Sequence, residues 1–175
     1  MLPPNQPIRS RPMRIRGNLK LLGALTLMCG MLGACKPSVV CHAFHPVADA
    51  GWRQDDTLDF LFSLPDTMAL YAVSVELRHR LDFPYTNLPV SVTIATIADS
   101  VLWRDTLFMP VADAQGNWVG RGWGNLRTTS SRPISLSMRQ ADTLQLILLP
   151  ALADSLLPGV NDVGVCVERL GQSLD

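Results

Sequence analysis

The chain has 175 residues, with 15 Lys and Arg against 15 Asp and Glu, a formal net charge of zero. The two signs are segregated: Arg9, Arg11, Arg14, Arg16 and Lys20 precede every acid, and the part from Cys35 onward holds ten basic and fifteen acidic residues, a net of −5. An acidic body excludes the basic stripe that a nucleic-acid groove needs, and the length suits one domain with an appendage.

Residues 1–12, "MLPPNQPIRSRP", are proline-rich and unlike a leader, so translation is expected to begin at Met13. From Met13 a basic n-region runs into "LLGALTLMCGML" (21–32), an apolar stretch short for a membrane span but suited to a secretory signal. Leu32-Gly33-Ala34-Cys35 resembles the bacterial lipobox, which implies cleavage before Cys35 and acylation of that cysteine. At about 0.8 kcal/mol per buried methylene, two or three acyl chains hold a protein to a membrane essentially permanently. The expected organisation is a signal peptide (1–34), a lipidated tether (35–52) and a folded domain (53–175).

The tether contains "KPSVVCHAFHPVADAG" (36–51), with two prolines and no periodicity. Cys41, His42 and His45 fall in it, but no second ligand pair follows at zinc-site spacing, so no metal site is expected. A lipid-anchored domain lies outside the cytoplasm, where disulfides are allowed. Cys41 and Cys166 form either a staple from the start of the domain to its last strand or two buried free thiols; spacing alone does not choose.

Short β-patterned runs follow in order: 57–64, 70–80, 88–97, 101–111, 133–139, 143–150 and 160–170. In "LYAVSVELRHR" (70–80), Tyr71, Val73, Val75 and Leu77 share one face, and His79, between two arginines at the strand end, reads as solvent-facing. "PALADSLLPGV" (150–160) admits a short helical turn, cut off by Pro158 and Gly159. Seven or eight strands punctuated by 13 prolines and 12 glycines predict an all-β fold: an antiparallel, jelly-roll-like β-sandwich in a single domain behind the tether.

Between 111 and 133 lies "GNWVGRGWGNLR" (116–127). A Walker loop needs a terminal Gly-Lys-Ser/Thr, and a dinucleotide fingerprint would need glycine where Asn125 stands and a βαβ setting, so phosphate cradling is excluded. The segment reads as a glycine-permitted turn with both tryptophans packed and Arg121 at its rim. The competing reading is a ligand or partner face of Tyr85, Trp118, Arg121 and Trp123, since Trp, Tyr and Arg are common interface anchors. No nucleophile elbow is present, and the acids of "WRQDDTLD" (52–59) sit in a turn, so no enzymatic activity and no cofactor are expected.

An Asp-hydroxyl-aliphatic tripeptide recurs six times, at Thr57, Thr67, Ser100, Thr106, Thr143 and Ser155. Aspartate suits turns and a β-branched threonine starts a strand. The tripeptide also resembles the acceptor motif of periplasmic O-glycosylation in Bacteroidetes, which implies those six residues as glycosylation sites.

The order of lipobox, "GWRQDDTLDF" (51–60), "LDFPYTNLPVSVTI" (81–94), "DTLFMPVADAQGNWVGRGWGNLR" (105–127) and "GVNDVGVCVE" (159–168) resembles the GldH gliding-motility lipoproteins of Bacteroidetes. Phe83 stands where tyrosine is frequent in that family. The resemblance implies a non-enzymatic cell-envelope lipoprotein associated with the gliding and type IX secretion apparatus, acting through contacts with other envelope proteins. Surface-exported lipoproteins of that phylum tend to carry acids after the lipidated cysteine; "KPSVV" here implies a periplasmic orientation. The alternative is an envelope glycan- or peptidoglycan-binding module that uses the aromatic face.

Overall fold

Alternation of apolar and polar residues buries one face of each strand, and two such faces must meet to form a core. In the computed structural model, which describes residues 38–66 and 68–172, they do so through eleven strands. These are β1 (Ser38–Pro46), β2 (Trp52–Arg53), β3 (Leu58–Leu64), β4 (Ala69–Arg80), β5 (Asn87–Thr96), β6 (Val101–Pro110), β7 (Leu126–Ser130), β8 (Ile134–Met138), β9 (Asp142–Pro150), β10 (Leu156–Leu157) and β11 (Val160–Gln172). One sheet has the order β1-β11-β4, with β7 and β8 both pairing the outer side of β4; the other has the order β3-β9-β5-β6. All ladders are antiparallel.

This order is that of a jelly roll. The chain forms nested pairs, β1 with β11, β3 with β9, β4 with β7 and β8, and β5 with β6, and successive pairs alternate between the sheets. Tyr71, Val73, Val75 and Leu77 of β4 and Val163, Val165 and Val167 of β11 face Phe60, Phe62 and Leu64 of β3, Val90, Val92 and Ile94 of β5, and Leu144, Leu146 and Leu148 of β9. Burying each of the larger side chains contributes roughly 1.5–3 kcal/mol.

Two expectations are corrected here. The segment read as a tether contains β1, which pairs with β11 from Ser38 opposite Arg169 to Pro46 opposite Asp162. The folded domain therefore already includes Ser38, fifteen residues before the expected boundary at residue 53. Residues 150–160 form no helical turn: Leu156 and Leu157 pair with Arg53 and Trp52 as a two-stranded ribbon. Cys35, Thr67 and the whole leader lie outside the described residues.

Candidate interaction face at the loop end

Antiparallel nesting sends the connections after β1, β4, β6 and β9 to the same end of the sandwich. They are residues 47–57, 81–86, 111–125 and 151–159. They are tied together: the N–H of Gln54 donates to the Ser155 carbonyl at 3.1 Å, that of Arg80 to the Gly159 carbonyl at 2.7 Å and that of Leu81 to Asn125 Oδ1 at 3.4 Å. Leu157 pairs with Trp52, whose buried indole donates to the Asp56 carbonyl at 2.9 Å. The four stretches quoted above as family-like thus meet at one end, although they lie far apart in sequence.

The segment 111–128 makes two successive tight hairpins. In the first, the Asp113 carboxylate accepts from the backbone N–H of Gln115 at 2.9 Å and of Asn117 at 2.8 Å and from the Asn117 side chain at 3.0 Å. The Asn117 side chain, followed by its backbone N–H, holds the Asp113 carboxyl below the usual carboxylate range. In the second, Arg121 and Thr128 exchange backbone hydrogen bonds of 3.0 and 2.7 Å, and Arg127 closes the turn on the carbonyls of Gly124 and Leu126. Glycine is required at 122, where a Cβ would lie 2.1 Å from the Leu126 carbonyl oxygen.

The two tryptophans of this segment have opposite fates. Trp118 is half-buried against the His79 ring at 4.9 Å, whereas Trp123 stands at the tip of the second hairpin, 94% exposed. The expectation that both pack is corrected: Trp123 opens the turn that the Leu126 N–H closes on its carbonyl, and its side chain is left in solvent. Arg121 is exposed beside it, as expected. The same end carries an aromatic row. Trp118 packs on His79, His79 on Phe83 at 5.5 Å, and Phe83 edge-on to Tyr85 at 5.7 Å. The Tyr85 hydroxyl donates to Asp154 at 2.5 Å, and that bond, with burial and the carboxylate charge, raises its pKa. Of the four residues named as a face, Tyr85 and Trp118 are joined through this row, and Arg121 and Trp123 are exposed.

His79 is the residue that sequence reasoning misplaced. It is fully buried, its Nδ1–H donates to the Arg80 carbonyl at 2.9 Å, and its Nε2 has no hydrogen-bond partner among the described residues. Burial lowers its pKa, and the nearby Arg127 charge acts the same way against the Arg80 hydrogen bond. Its parity with Tyr71, Val73, Val75 and Leu77 was the signal, outweighed in the sequence by the flanking arginines.

Cys41 and Cys166 are free thiols, so the staple is not formed. They lie on neighbouring strands, but Cys41 pairs with Val167 and Cys166 with His42, which sends them to opposite faces of the sheet. Burial raises the pKa of both, and Glu168 and Glu76 add to the rise at Cys166. Among the hydroxyl residues, Thr57, Ser100 and Ser155 are exposed in turns, while Thr106 and Thr143 are partly buried in strands. At those two, the preceding aspartate accepts the threonine N–H at 2.7 Å, and Thr143 Oγ1 also bonds Ser63 Oγ at 2.9 Å.

Fold and loop end together define a small jelly-roll domain whose most exposed aromatic side chain stands at a hairpin tip, with a partly buried aromatic row at the same end. Residues 39–167 match the GldH lipoprotein family, and the chain belongs to that family. It is 28% identical over 109 residues to the gliding motility lipoprotein GldH of Flavobacterium johnsoniae, covering 62% of this chain and 67% of that protein. It is 24% identical over 131 residues to a GldH homolog of Christiangramia forsetii, covering 67% and 77% respectively. Among solved structures, the VP2 protein of infectious bursal disease virus aligns at 14% identity and a TM-score of 0.34, over 77% of this chain and 30% of that one.

Proposed function

We propose that this protein is a lipid-anchored, periplasm-facing component of the gliding-motility and type IX secretion apparatus that works by protein contact rather than catalysis. The observation that carries the reading is the placement of Trp123, an almost fully exposed indole two residues from the exposed Arg121, on a hairpin closed by the Arg121–Thr128 hydrogen bonds. An indole in water is apolar surface that a partner would bury, and Trp and Arg are both enriched in interface hot spots. β1 begins at the opposite end of the sandwich, and its first residue is three positions after Cys35.

A groove between β6 and residues 130–133, about 660 Å³, offers a second surface, lined by Asn87, Thr106, Phe108, Ser131, Arg132 and Pro133. The exposed indole would equally serve as a platform for a sugar ring, so one experiment separates the two. Trp123→Ala is expected to abolish recovery of envelope partners from crosslinked cells while leaving peptidoglycan sedimentation unchanged; loss of glycan binding with partners retained would favour the second reading. For the hydroxyl motifs, we propose modification at the exposed Thr57, Ser100 and Ser155 rather than at Thr106 or Thr143, and native protein with the mass of the bare delipidated chain would contradict it.

A further inference from the structure

Outside the loop end, the exposed face of the β1-β11-β4 sheet gathers three metal-ligating side chains of different chemistry. His42 and Cys166 are direct partners in the β1–β11 ladder, and Glu76 lies on β4, opposite Gly164. His42 Nε2 is 2.9 Å from Glu76 Oε2, and one donor atom from each of the three residues lies within 4.8 Å of the other two. We propose that these residues form a binding site for a divalent transition metal of the zinc type, with a fourth position open to water. This site is independent of the loop-end face and of the role proposed for it.

The chemistry fits the donor set. Zinc takes imidazole nitrogen and carboxylate oxygen at about 2.0–2.1 Å and thiolate sulfur at about 2.3 Å, so tetrahedral donors stand roughly 3.3–3.6 Å apart. The His42–Glu76 pair would open by about 0.4 Å to reach that spacing, and bringing in the thiol asks for about 1 Å of side-chain movement. All three ligands sit on hydrogen-bonded strands, which fixes their spacing better than a loop would. Glu168, two residues along β11 from Cys166, adds a second carboxylate to the same face of the sheet, and the negative charge favours a cation. Binding would exchange the Cys166 proton for the metal and release it to water.

The surroundings look built rather than incidental. Gly164 lies between the strands that carry His42 and Glu76, and a Cβ there would fall 2.5 Å from the Phe44 ring. Its absence lets Phe44 lie on the sheet, where the Arg78 guanidinium covers it at 3.6 Å and the His42 ring packs against it at 5.3 Å. Phe44 thus gives His42 an apolar support on one side. Ser130 Oγ donates to the other oxygen of Glu76 at 3.4 Å, leaving Oε2 for the site.

The test uses the untagged, reduced mature lipoprotein in detergent, titrated with Co²⁺ and then Zn²⁺. The expected result is a thiolate-to-cobalt charge-transfer band with tetrahedral d–d absorption that Zn²⁺ removes. Cys166→Ser should abolish the band, His42→Gln and Glu76→Gln should each weaken binding at least tenfold, and Cys41→Ser should leave it unchanged. Unchanged circular dichroism of the near-isosteric Cys166→Ser protects the comparison from misfolding. Absence of the band in wild type, its survival in Cys166→Ser, or its loss in Cys41→Ser would overturn the proposal.

Discussion

Truncating the two tryptophans of 116–127 separately tests whether the sequence motif contains one structural and one functional ring. A fully buried Trp→Ala change costs about 3–5 kcal/mol, and Trp118 is half-buried with one face on His79, so Trp118→Ala should cost roughly 2 kcal/mol. At roughly 4 °C per kcal/mol for a domain of this size, the melting temperature should fall by about 8 °C. Trp123 is 94% exposed, so Trp123→Ala should stay within about 0.5 kcal/mol of wild type. Urea denaturation followed by circular dichroism measures both without relying on tryptophan fluorescence. Equal destabilisation by the two changes, or a loss above about 1.5 kcal/mol for Trp123→Ala, would refute the assignment.

The buried His79 should make stability depend on pH. Its folded pKa lies below its unfolded value, so the unfolded chain takes the proton first; stability is full above the unfolded value of about 6.5 and is lost as pH falls through the folded one. Denaturation midpoints should therefore drop between pH 7 and 5, with a shallower slope in His79→Leu; parallel slopes would contradict this. Gly122→Ala should cost roughly 1–3 kcal/mol by pushing apart the hairpin around the Leu126 carbonyl, read as a lowered urea midpoint with an unchanged m-value. Alkylation of the denatured mature protein without reductant should label both Cys41 and Cys166 in intact mass spectra, whereas an unlabelled pair would mean that β1 shifts its register.

What the sequence revealed and what it hid follow from how far each signal reaches. β4 and β9 alternate cleanly because one face is buried along their length, and their parity is written in consecutive residues. β1 escaped notice because it is an edge strand with a mixed burial pattern, bulged between Val39 and Cys41 and flanked by prolines. The same bulge decides that Cys41 and Cys166 face apart, a one-residue matter that spacing cannot convey. His42, Glu76 and Cys166 come together only through the registers of two ladders. Trp118 and Trp123 are chemically identical in the sequence, and only the position of the hairpin tip separates a packed ring from a presented one.

The central claim is that the loop end, and not the opposite end, meets the partner. A photo-crosslinking amino acid placed at position 123, and in a parallel strain at the exposed Ile97 in the β5–β6 turn, tests it in living cells. Specific envelope-protein adducts should form from position 123 and be absent from position 97. Adducts from position 97 alone, or the same adducts from both positions, would contradict the account.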